Sequence, residues 1–264
     1  MRQILIWVGS ALAVCFYIVG ARKRVTLENI ARAFPEMTEL ERNRLARSAY
    51  KSLGCVFAEM VYLRFASLKA INTNTIIANP ELYHATLNQG KGLIVVAGHY
   101  ANWEWLALGG AIGLGSNFSI VRKNIPSKGI EKFLERLRIR SGNTLINSGD
   151  VRSMVMTLRA GKCLAILADQ AAPSESVAIN FFSIPTHTFE GPAWLALRTG
   201  ANMLFAECNL DGSGKYVIRF HPIPIYPADT VLTLTQRHAS ILESIIRRRP
   251  ELWLWQHKRW KYSS

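Results

Sequence analysis

The chain has 264 residues, of which 49% are hydrophobic and 19% are charged, and this composition excludes an intrinsically disordered protein. The length fits a single domain with one sizeable core. Lysines and arginines number 32 against 18 aspartates and glutamates, which gives a formal net charge of +14. The expected partners are therefore polyanions, namely nucleic acid, anionic lipid headgroups or acidic proteins.

The amino-terminal segment predicts a retained membrane anchor. Residues 4–20 carry no charge, a single Arg2 precedes them, and the cluster Arg22, Lys23 and Arg24 follows. A cleaved signal peptide carries its cationic cluster before the apolar stretch and a small-residue cleavage site after it, whereas here the basic cluster comes after and no such cleavage pattern follows. We assign residues 1–24 to an anchor with a basic flank, which either spans the membrane or lies in its interface. In both cases the positive-inside rule places residues 25–264 in the cytoplasm.

The next segment, residues 25–78, is predicted to be helical and close to the membrane. Apolar residues recur at spacings of three and four, which is typical of a helix with one buried face. Pro35 divides the segment into two helices. Thr38 followed by Glu41 is a capping-box signature for the start of the second helix.

Residues 79–264 alternate between short apolar runs and helical patterns. The runs "LIVVA", "FSIV" and "CLAIL" predict buried strands, and each is followed by a stretch with helical periodicity. The segments "NMLFAECNL" and "KYVIRFHPI" predict a hairpin-like pair across Asp211 and Gly212. We therefore predict a single α/β domain with a central, mostly parallel or mixed sheet flanked by helices, whose site lies at the carboxyl ends of the strands.

A histidine and a glutamate follow the first of these strands. His99 lies in the strand-to-helix turn, Asn102 can cap the helix, and Glu104 falls in its first turn. In that arrangement the imidazole acts as a general base toward a substrate hydroxyl, and the carboxylate orients it. The alternative is that His99 satisfies a buried turn and Glu104 interacts with the amino end of the helix. The His-x4-Glu spacing alone supports both interpretations equally.

Other catalytic signals are weaker than this pair. The sequence has no Gly-x-Ser-x-Gly elbow, no phosphate-binding glycine loop and no His-Glu-x-x-His zinc motif. Its four cysteines lie far apart without a Cys-x-x-Cys pair. Neither a metal nor a cofactor is expected.

A series of segments in fixed order resembles the late acyltransferases of lipid A biosynthesis, the lauroyl and myristoyl transferases, within the wider His-x4-Asp/Glu acyltransferases of the glycerolipid type. The segments cover most of the chain and are "NIARAFPE", "GHYANWE", "VRK", "LRAGK", "ADQ", "FF", "GPAWLALRTGA" and "PELWLWQHKRWK". The resemblance implies transfer of a fatty acyl chain from acyl carrier protein to a hydroxyl of a lipid A precursor. It also implies a location at the cytoplasmic face of the inner membrane.

The resemblance further assigns roles to individual residues. His99 is the base and Glu104 its partner, while Arg138 falls where the family has an arginine thought to stabilise the thioester. Asp169 matches a further family acid, and Arg122 can meet a phosphate or the acyl donor. We group Arg138, Arg122, Asp169 and Asn102 as candidate substrate-binding residues. Because Arg136 and Arg140 flank Arg138, the register of the functional arginine stays open. The sequence departs from the family pattern at Ala171 and Lys258, where a second acid and an arginine are common, and this puts the acceptor and chain length in doubt.

Three alternatives remain. The same catalytic pair serves enzymes whose acceptor is a lysophospholipid, glycerol phosphate or an amino-acid lipid. A non-catalytic lipid-binding homologue is the second alternative. The tail "WLWQHKRWK" interleaves indoles with cations, which suits single-stranded nucleic acid, although an anchored chain favours the membrane interface as its partner.

Overall fold

A computed structural model describes residues 2–172 and 176–262. Its helices are α1 Arg2–Val19, α2 Lys23–Ala33, α3 Glu39–Phe65, α4 Leu68–Thr73, α5 Pro80–Leu87, α6 Trp103–Leu114, α7 Lys128–Arg138, α8 Val151–Arg159, α9 Gly191–Thr199 and α10 Val231–Arg248. Its strands are β1 Thr75–Ile77, β2 Leu93–Ala97, β3 Phe118–Arg122, β4 Thr144–Asn147, β5 Cys163–Leu167, β6 Ser176–Phe181, β7 Ile184–Phe189, β8 Asn202–Leu210 and β9 Tyr216–Ile223.

Seven strands form one central sheet in the order β1-β9-β8-β2-β5-β3-β4. The pairs from β8 through β4 are all parallel, whereas β9 runs antiparallel to β8. β6 and β7 form a separate antiparallel hairpin. The predicted α/β class with a mostly parallel sheet is confirmed, and the predicted antiparallel pair is β8 with β9.

Helices cover both faces of the sheet, because the central strands are apolar on both sides. All five residues of β2 are buried. On one face they pack against side chains of α3, α6 and α7, and on the other against α8, α9, α10 and the carboxyl-terminal tail. Gly92 precedes β2 with a φ of 80°, and a β-carbon there would overlap the carbonyl oxygen of Leu158.

The sequence located most elements and missed several short ones. The capping box of α3 forms as predicted, with Thr38 accepting from the Glu41 amide and Glu41 accepting from the Thr38 amide. Helix α5, strands β1 and β4, and the β6–β7 hairpin were not predicted. Strand β1 pairs with β9, so the sheet includes residues within the segment assigned as helical, 25–78.

The carboxyl-terminal tail lies in the core, which corrects the prediction that its aromatic and basic residues meet a membrane or a nucleic acid. Trp253, Trp255 and Trp260 are at most 3% exposed, and Arg259 is 2% exposed. The three indoles contact one another and the rings of the β6–β7 hairpin. The alternation of indoles and cations in the tail therefore reflects packing in the core, and Lys258 and Lys261 are the members of the run that face solvent.

Helix α1 packs lengthwise against α3. Among the described residues it is the one helix whose length and composition would allow it to cross a membrane. The two helices run antiparallel, since Ser10 contacts Cys55 and Tyr17 donates to the Asn43 side chain. Their backbones meet at Gly9 and Gly54, where a β-carbon on Gly54 would overlap the Gly9 carbonyl oxygen and the Ala13 side chain.

We expect Gly54→Ala to destabilise the protein. Alanine is the better helix former, so the substitution would stabilise an open site. Here it forces α1 away from α3, and overpacking of this kind costs about 1–3 kcal/mol. The measurement is the free energy of unfolding in detergent. Gly149→Ala is the matched control, because nothing lies within 4 Å of a β-carbon there. Equal stability of the two variants would contradict the close approach of α1 to α3.

Candidate active site

The sheet register brings His99 and Asp169 together. Strands β2 and β5 are parallel neighbours with Ala97 opposite Leu167, so the second residue beyond each strand lies at the same edge. His99 Nδ1 is 2.7 Å from Asp169 Oδ1, and the His99 amide donates to Asp169 Oδ2 at 2.8 Å. The carboxylate thus fixes both the backbone and the ring of the histidine.

Asp169 is buried and fully engaged. Besides the two contacts from His99, its Oδ2 accepts a hydrogen bond from the Trp253 indole at 2.9 Å. Burial acts to raise the pKa of Asp169, but the charge of His99 and the hydrogen bonds from His99 and Trp253 outweigh it, so the pKa is lowered. Asp169 therefore stays a carboxylate at neutral pH.

The second ring nitrogen of His99 is left for chemistry. With Nδ1 held by Asp169, Nε2 has a 3.4 Å contact to the Gln170 side-chain nitrogen. The Trp103 indole packs edge-to-face on the imidazole with 5.1 Å between ring centroids. The histidine side chain keeps 18% of its surface exposed. An oriented imidazole with an accessible Nε2 can accept a proton from a substrate hydroxyl.

Glu104 pairs with Arg138, which corrects the predicted contact between Glu104 and His99. Arg138 Nε donates to Glu104 Oε2 at 2.9 Å and Nη2 to Oε1 at 2.5 Å, a bidentate pair in which the carboxylate is 2% exposed. Burial acts to lower the pKa of Arg138, yet the hydrogen bonds and charge of Glu104 raise it. The carboxylate that orients His99 is Asp169, which sequence reasoning had placed among the substrate contacts.

The three arginines at the end of α7 and just after it have different surroundings. Arg136 faces solvent. Arg140 donates to the carbonyl oxygens of Leu63 and Ala66 at the end of α3. Arg138 alone of the three contacts the site, so the residue chosen from the sequence is the one that lies there.

An apolar cavity opens beside the Glu104–Arg138 pair, between α6 and the sheet. Its walls come from β2, β3, β5, β9 and α6, and the lining contributed by α6 includes Trp103, Leu106 and Ala107. Trp103 also contacts His99, so one indole separates the histidine from the cavity. The arrangement suits an apolar chain whose polar end reaches His99.

Asn102 and Arg122 make structural contacts. Asn102 caps α6 by accepting from the Trp105 amide at 2.9 Å, as predicted, and it donates to the Glu59 carboxylate at 2.9 Å. Because Asn102 is 0% exposed, its assignment as a substrate contact is not supported. Arg122 forms ion pairs with Glu131 and Glu135 of α7, and its predicted contact to phosphate or donor stays a prediction.

Two residues that sequence reasoning missed support the site. Glu59 lies in the apolar stretch "CVFAEMVYL" of α3, where an isolated acid signals a buried polar contact. Its carboxylate is 1% exposed and bonds Arg2, Asn102 and the Tyr216 hydroxyl. Trp253 comes from the distant tail and reaches Asp169 because residues 252 and 254 hydrogen-bond to the backbone of residues 101 and 99.

Buried or half-buried basic residues of the tail and of α10 lie close to the site. Burial lowers the pKa of Arg259 to about 10, with the charge of Asp169 opposing it. Burial also lowers the pKa of His257, and the charges of Asp169 and His99 both reach it. His238 of α10 is 3% exposed. Burial lowers its pKa to about 4, and the charge of Arg259 contributes to this lowering.

Comparisons with known proteins show the family of the chain. The model of the bacterial lipid A biosynthesis acyltransferase family matches residues 2–262. The chain is 24% identical to the lipid A biosynthesis lauroyltransferase of Escherichia coli over 247 residues, 91% of this chain and 79% of that protein. It is 25% identical to the palmitoleoyltransferase of the same organism over 245 residues, with the same coverage. A phosphatidylinositol mannoside acyltransferase of Mycobacterium tuberculosis is 23% identical over 189 residues, 70% of this chain and 60% of that protein.

We expect the stability of the protein to fall as the pH drops from about 6.5 to about 4, with His238 as a main cause. The unfolded chain binds a proton at this histidine near pH 6.5, whereas the folded state resists protonation until about pH 4. Stability is thus fully present above this window, and about 3 kcal/mol is lost on crossing it. His238→Gln should flatten the pH dependence of the unfolding free energy.

His187→Gln is the control for this measurement, because His187 is exposed. Its unfolding free energy should follow that of the unmodified protein at every pH. Parallel pH profiles for His238→Gln and the unmodified protein would show that His238 is not buried in its neutral form.

Proposed function

Because the chain belongs to the bacterial lipid A biosynthesis acyltransferase family, we propose that it transfers a fatty acyl chain from acyl carrier protein to a hydroxyl of a lipid A precursor. The observation that carries the proposed chemistry is the 2.7 Å contact between His99 Nδ1 and Asp169, which leaves Nε2 as the base. Two relatives are named lauroyltransferase and palmitoleoyltransferase of lipid A biosynthesis, which supports fatty acyl transfer to a lipid acceptor.

In the proposed reaction His99 Nε2 takes the proton of the acceptor hydroxyl as its oxygen attacks the thioester carbonyl carbon. Asp169 stabilises the imidazolium that forms, in the way the aspartate of a serine-protease triad does. The tetrahedral intermediate then expels the carrier thiolate, which takes the proton from the imidazolium. The products are an ester and the free thiol of the carrier, and the histidine returns to its neutral form.

The Glu104–Arg138 pair serves the same reaction from the cavity side. The Arg138 guanidinium lies at the apolar cavity and provides positive charge for the carbonyl oxygen as it becomes an oxyanion. Glu104 holds the guanidinium in one orientation through two hydrogen bonds. Glu104 thus serves the proposed reaction by holding Arg138, and not by orienting His99 as the sequence predicted. The acyl chain occupies the cavity beneath α6.

Exposed cations on α7 support an acidic donor. Lys128, Lys132 and Arg136 repeat every four residues and face solvent, on the same helix that carries Arg138 at its end. Acyl carrier proteins are acidic, so this basic stripe offers a docking surface that directs the thioester toward Arg138.

The proposed location is the inner membrane with the catalytic body on its cytoplasmic face. The apolar helix α1 and the basic residues 22–24 support membrane binding, and the carrier protein donor requires access from the cytoplasm.

A second acceptor follows from the comparisons. The mycobacterial relative is named for a phosphatidylinositol mannoside, so its acceptor is a glycolipid of another kind. The His99–Asp169 pair serves any lipid hydroxyl, including those of lysophospholipids, glycerol phosphate or amino-acid lipids. Mass spectrometry of lipids from cells with and without the gene distinguishes these acceptors, and a new acyl group in phospholipid but none in lipid A would exclude the lipid A precursor.

We expect His99→Ala and Asp169→Asn to lower kcat by two to four orders of magnitude, because each removes part of the general-base unit. The measurement is acyl transfer by the purified protein in detergent with acyl carrier protein donor and a lipid A precursor. Glu104→Gln should lower kcat less than His99→Ala, because Arg138 keeps its charge.

The matched control is His221→Gln. His221 Nε2 lies 2.8 Å from Glu207 in a second histidine–carboxylate pair, on β8 and β9, and neither side chain hydrogen-bonds to His99, Asp169 or Arg138. This variant should keep turnover close to that of the unmodified enzyme. Near-normal turnover in Asp169→Asn would refute Asp169 as the partner of the base.

We expect the triple variant Lys128→Glu, Lys132→Glu and Arg136→Glu to raise KM for the carrier-linked donor at least tenfold with little change in kcat. The unmodified enzyme should lose the same affinity as salt rises, since the attraction is screened. The control is Arg152→Glu with Arg159→Glu, two exposed cations on α8. If both variants raise KM equally, α7 is not the docking surface.

A further inference from the structure

Arg2, the first residue of α1, contacts residues of the α/β domain. The Arg2 guanidinium forms an ion pair with the buried Glu59 carboxylate at 2.7 Å and donates to the Gly214 carbonyl oxygen at 2.7 Å. It also stacks over the rings of Trp105 and Tyr216, at 4.8 and 5.4 Å from their centroids. These partners belong to α3, α6, β9 and the turn before β9, so the amino end of α1 is fixed to the sheet domain.

The other end of α1 is fixed to the same body. Arg22 donates to the Gln256 carbonyl oxygen of the tail at 3.1 Å. Tyr17 donates to the Asn43 side chain at 2.9 Å, and the Tyr50 hydroxyl donates to the carbonyl oxygen of Ala21. Both ends of the helix therefore contact parts of one folded domain.

This geometry is incompatible with a helix that crosses a bilayer. The 18 residues of α1 extend about 27 Å, close to the thickness of the hydrocarbon core of a membrane, about 30 Å. If α1 crossed the membrane, Arg2 and Arg22 would lie on opposite sides. Their partners in β9 and in the tail cannot be separated in this way, since β9 lies in the central sheet and the tail pairs with the site loop.

The outward face of α1 is nonetheless apolar. Side chains recur at spacings of three and four along this face and are all more than half exposed; they are Ile4, Trp7, Val8, Leu12, Phe16 and Val19. The apolar surface continues on α3, where Phe57, Val61 and Phe65 are exposed at intervals of four residues. Toward its amino end the exposed residues of α3 change to Arg44, Arg47 and Lys51.

We propose that α1 and the second half of α3 form one in-plane surface that enters a single leaflet of an anionic bilayer, so the protein is monotopic. Apolar side chains along the whole length of α1 suit burial at one depth, and the cations of α3 and of residues 22–24 suit lipid phosphates at the border. The apolar face could also bind a second copy of the chain, but the adjoining cations repel their own copies. The proposal concerns the mode of the membrane association proposed above and does not depend on acyl transfer.

The arrangement gives the active site access to lipid from the same leaflet. Glu59 binds Arg2 of the embedded helix and Asn102 at the cap of α6, the helix that carries Glu104. Arg140, two residues from Arg138, holds the end of α3 at Leu63 and Ala66, next to the exposed Phe65. A lipid acceptor can therefore approach laterally along α3 without leaving the membrane.

The test is to label the two ends of α1 with a membrane-impermeant maleimide. In the full-length protein with Cys15→Ser and Cys55→Ser, the two remaining cysteines, Cys163 and Cys208, are buried. One exposed cysteine is then added by Gln3→Cys or by Arg24→Cys, both at exposed positions. We expect both cysteines to react in inverted inner-membrane vesicles and neither to react in intact spheroplasts. Labelling of position 3 from the spheroplast side alone would overturn the proposal in favour of a spanning helix.

A depth measurement complements the labelling. Spin labels introduced by Ile4→Cys, Leu12→Cys and Val19→Cys should report similar depths in vesicles of phosphatidylethanolamine and phosphatidylglycerol, whereas a spanning helix places the middle label far deeper than the others. A label at Leu197→Cys on α9 is the water-exposed control. Protein that stays unbound to these vesicles, or a self-association that shields the three labels, would also overturn the proposal. Acyl transfer measured in detergent on the same variants separates these outcomes from a failure of the proposed reaction.

Discussion

A carboxylate buried in an apolar helix is the constraint on which much of this structure depends. Glu59 lies on α3 with 1% exposure, and an unpaired charge at that depth would cost several kcal/mol. The chain satisfies it with three partners from distant segments, namely Arg2, Asn102 and Tyr216. The same carboxylate thus joins the amino-terminal helix, the cap of α6 and the sheet. Because the partners converge on one group, the amino-terminal helix α1 and helix α6 of the candidate active site cannot move independently.

The order of strands in the sheet places two separate pairs in the site, His99 with Asp169 and Arg138 with Glu104. Strand β5 lies between β2 and β3, so the loop after β2 meets Asp169 directly beyond its neighbouring strand. Helix α7, which follows β3, approaches the other side of that loop and brings Arg138 to Glu104. Each carboxylate therefore has its own basic partner, His99 for Asp169 and Arg138 for Glu104, so the two acids do not compete for one histidine. One pair holds the proposed base, and the other holds a positive charge at the mouth of the apolar cavity.

The sequence predicted the elements well and their contacts less well, for physical reasons that particular residues illustrate. Apolar periodicity located β2 and α6, and the local pattern Thr38 to Glu41 located the start of α3, because these signals lie within a few residues. The partner of His99 depends on which strand lies beside β2, and that strand, β5, is separated from β2 along the chain by three α-helices and two strands. The tail was misjudged because composition alone does not show whether an indole lies in a core or at a membrane, and Trp255 is fully buried.

The orientation of α1 is a further feature that the local sequence pattern does not determine. Hydropathy gives the length and apolarity of a helix, and on that measure alone residues 2–19 fit a bilayer. The charged residues at its two ends decide the orientation, because each one is held by the folded body. Gly9 and Gly54 then allow α1 to lie close enough to α3 for these end contacts to form together. The proposed orientation of α1 in the membrane therefore depends on tertiary packing, and the hydrophobic segment contributes only the affinity for the bilayer.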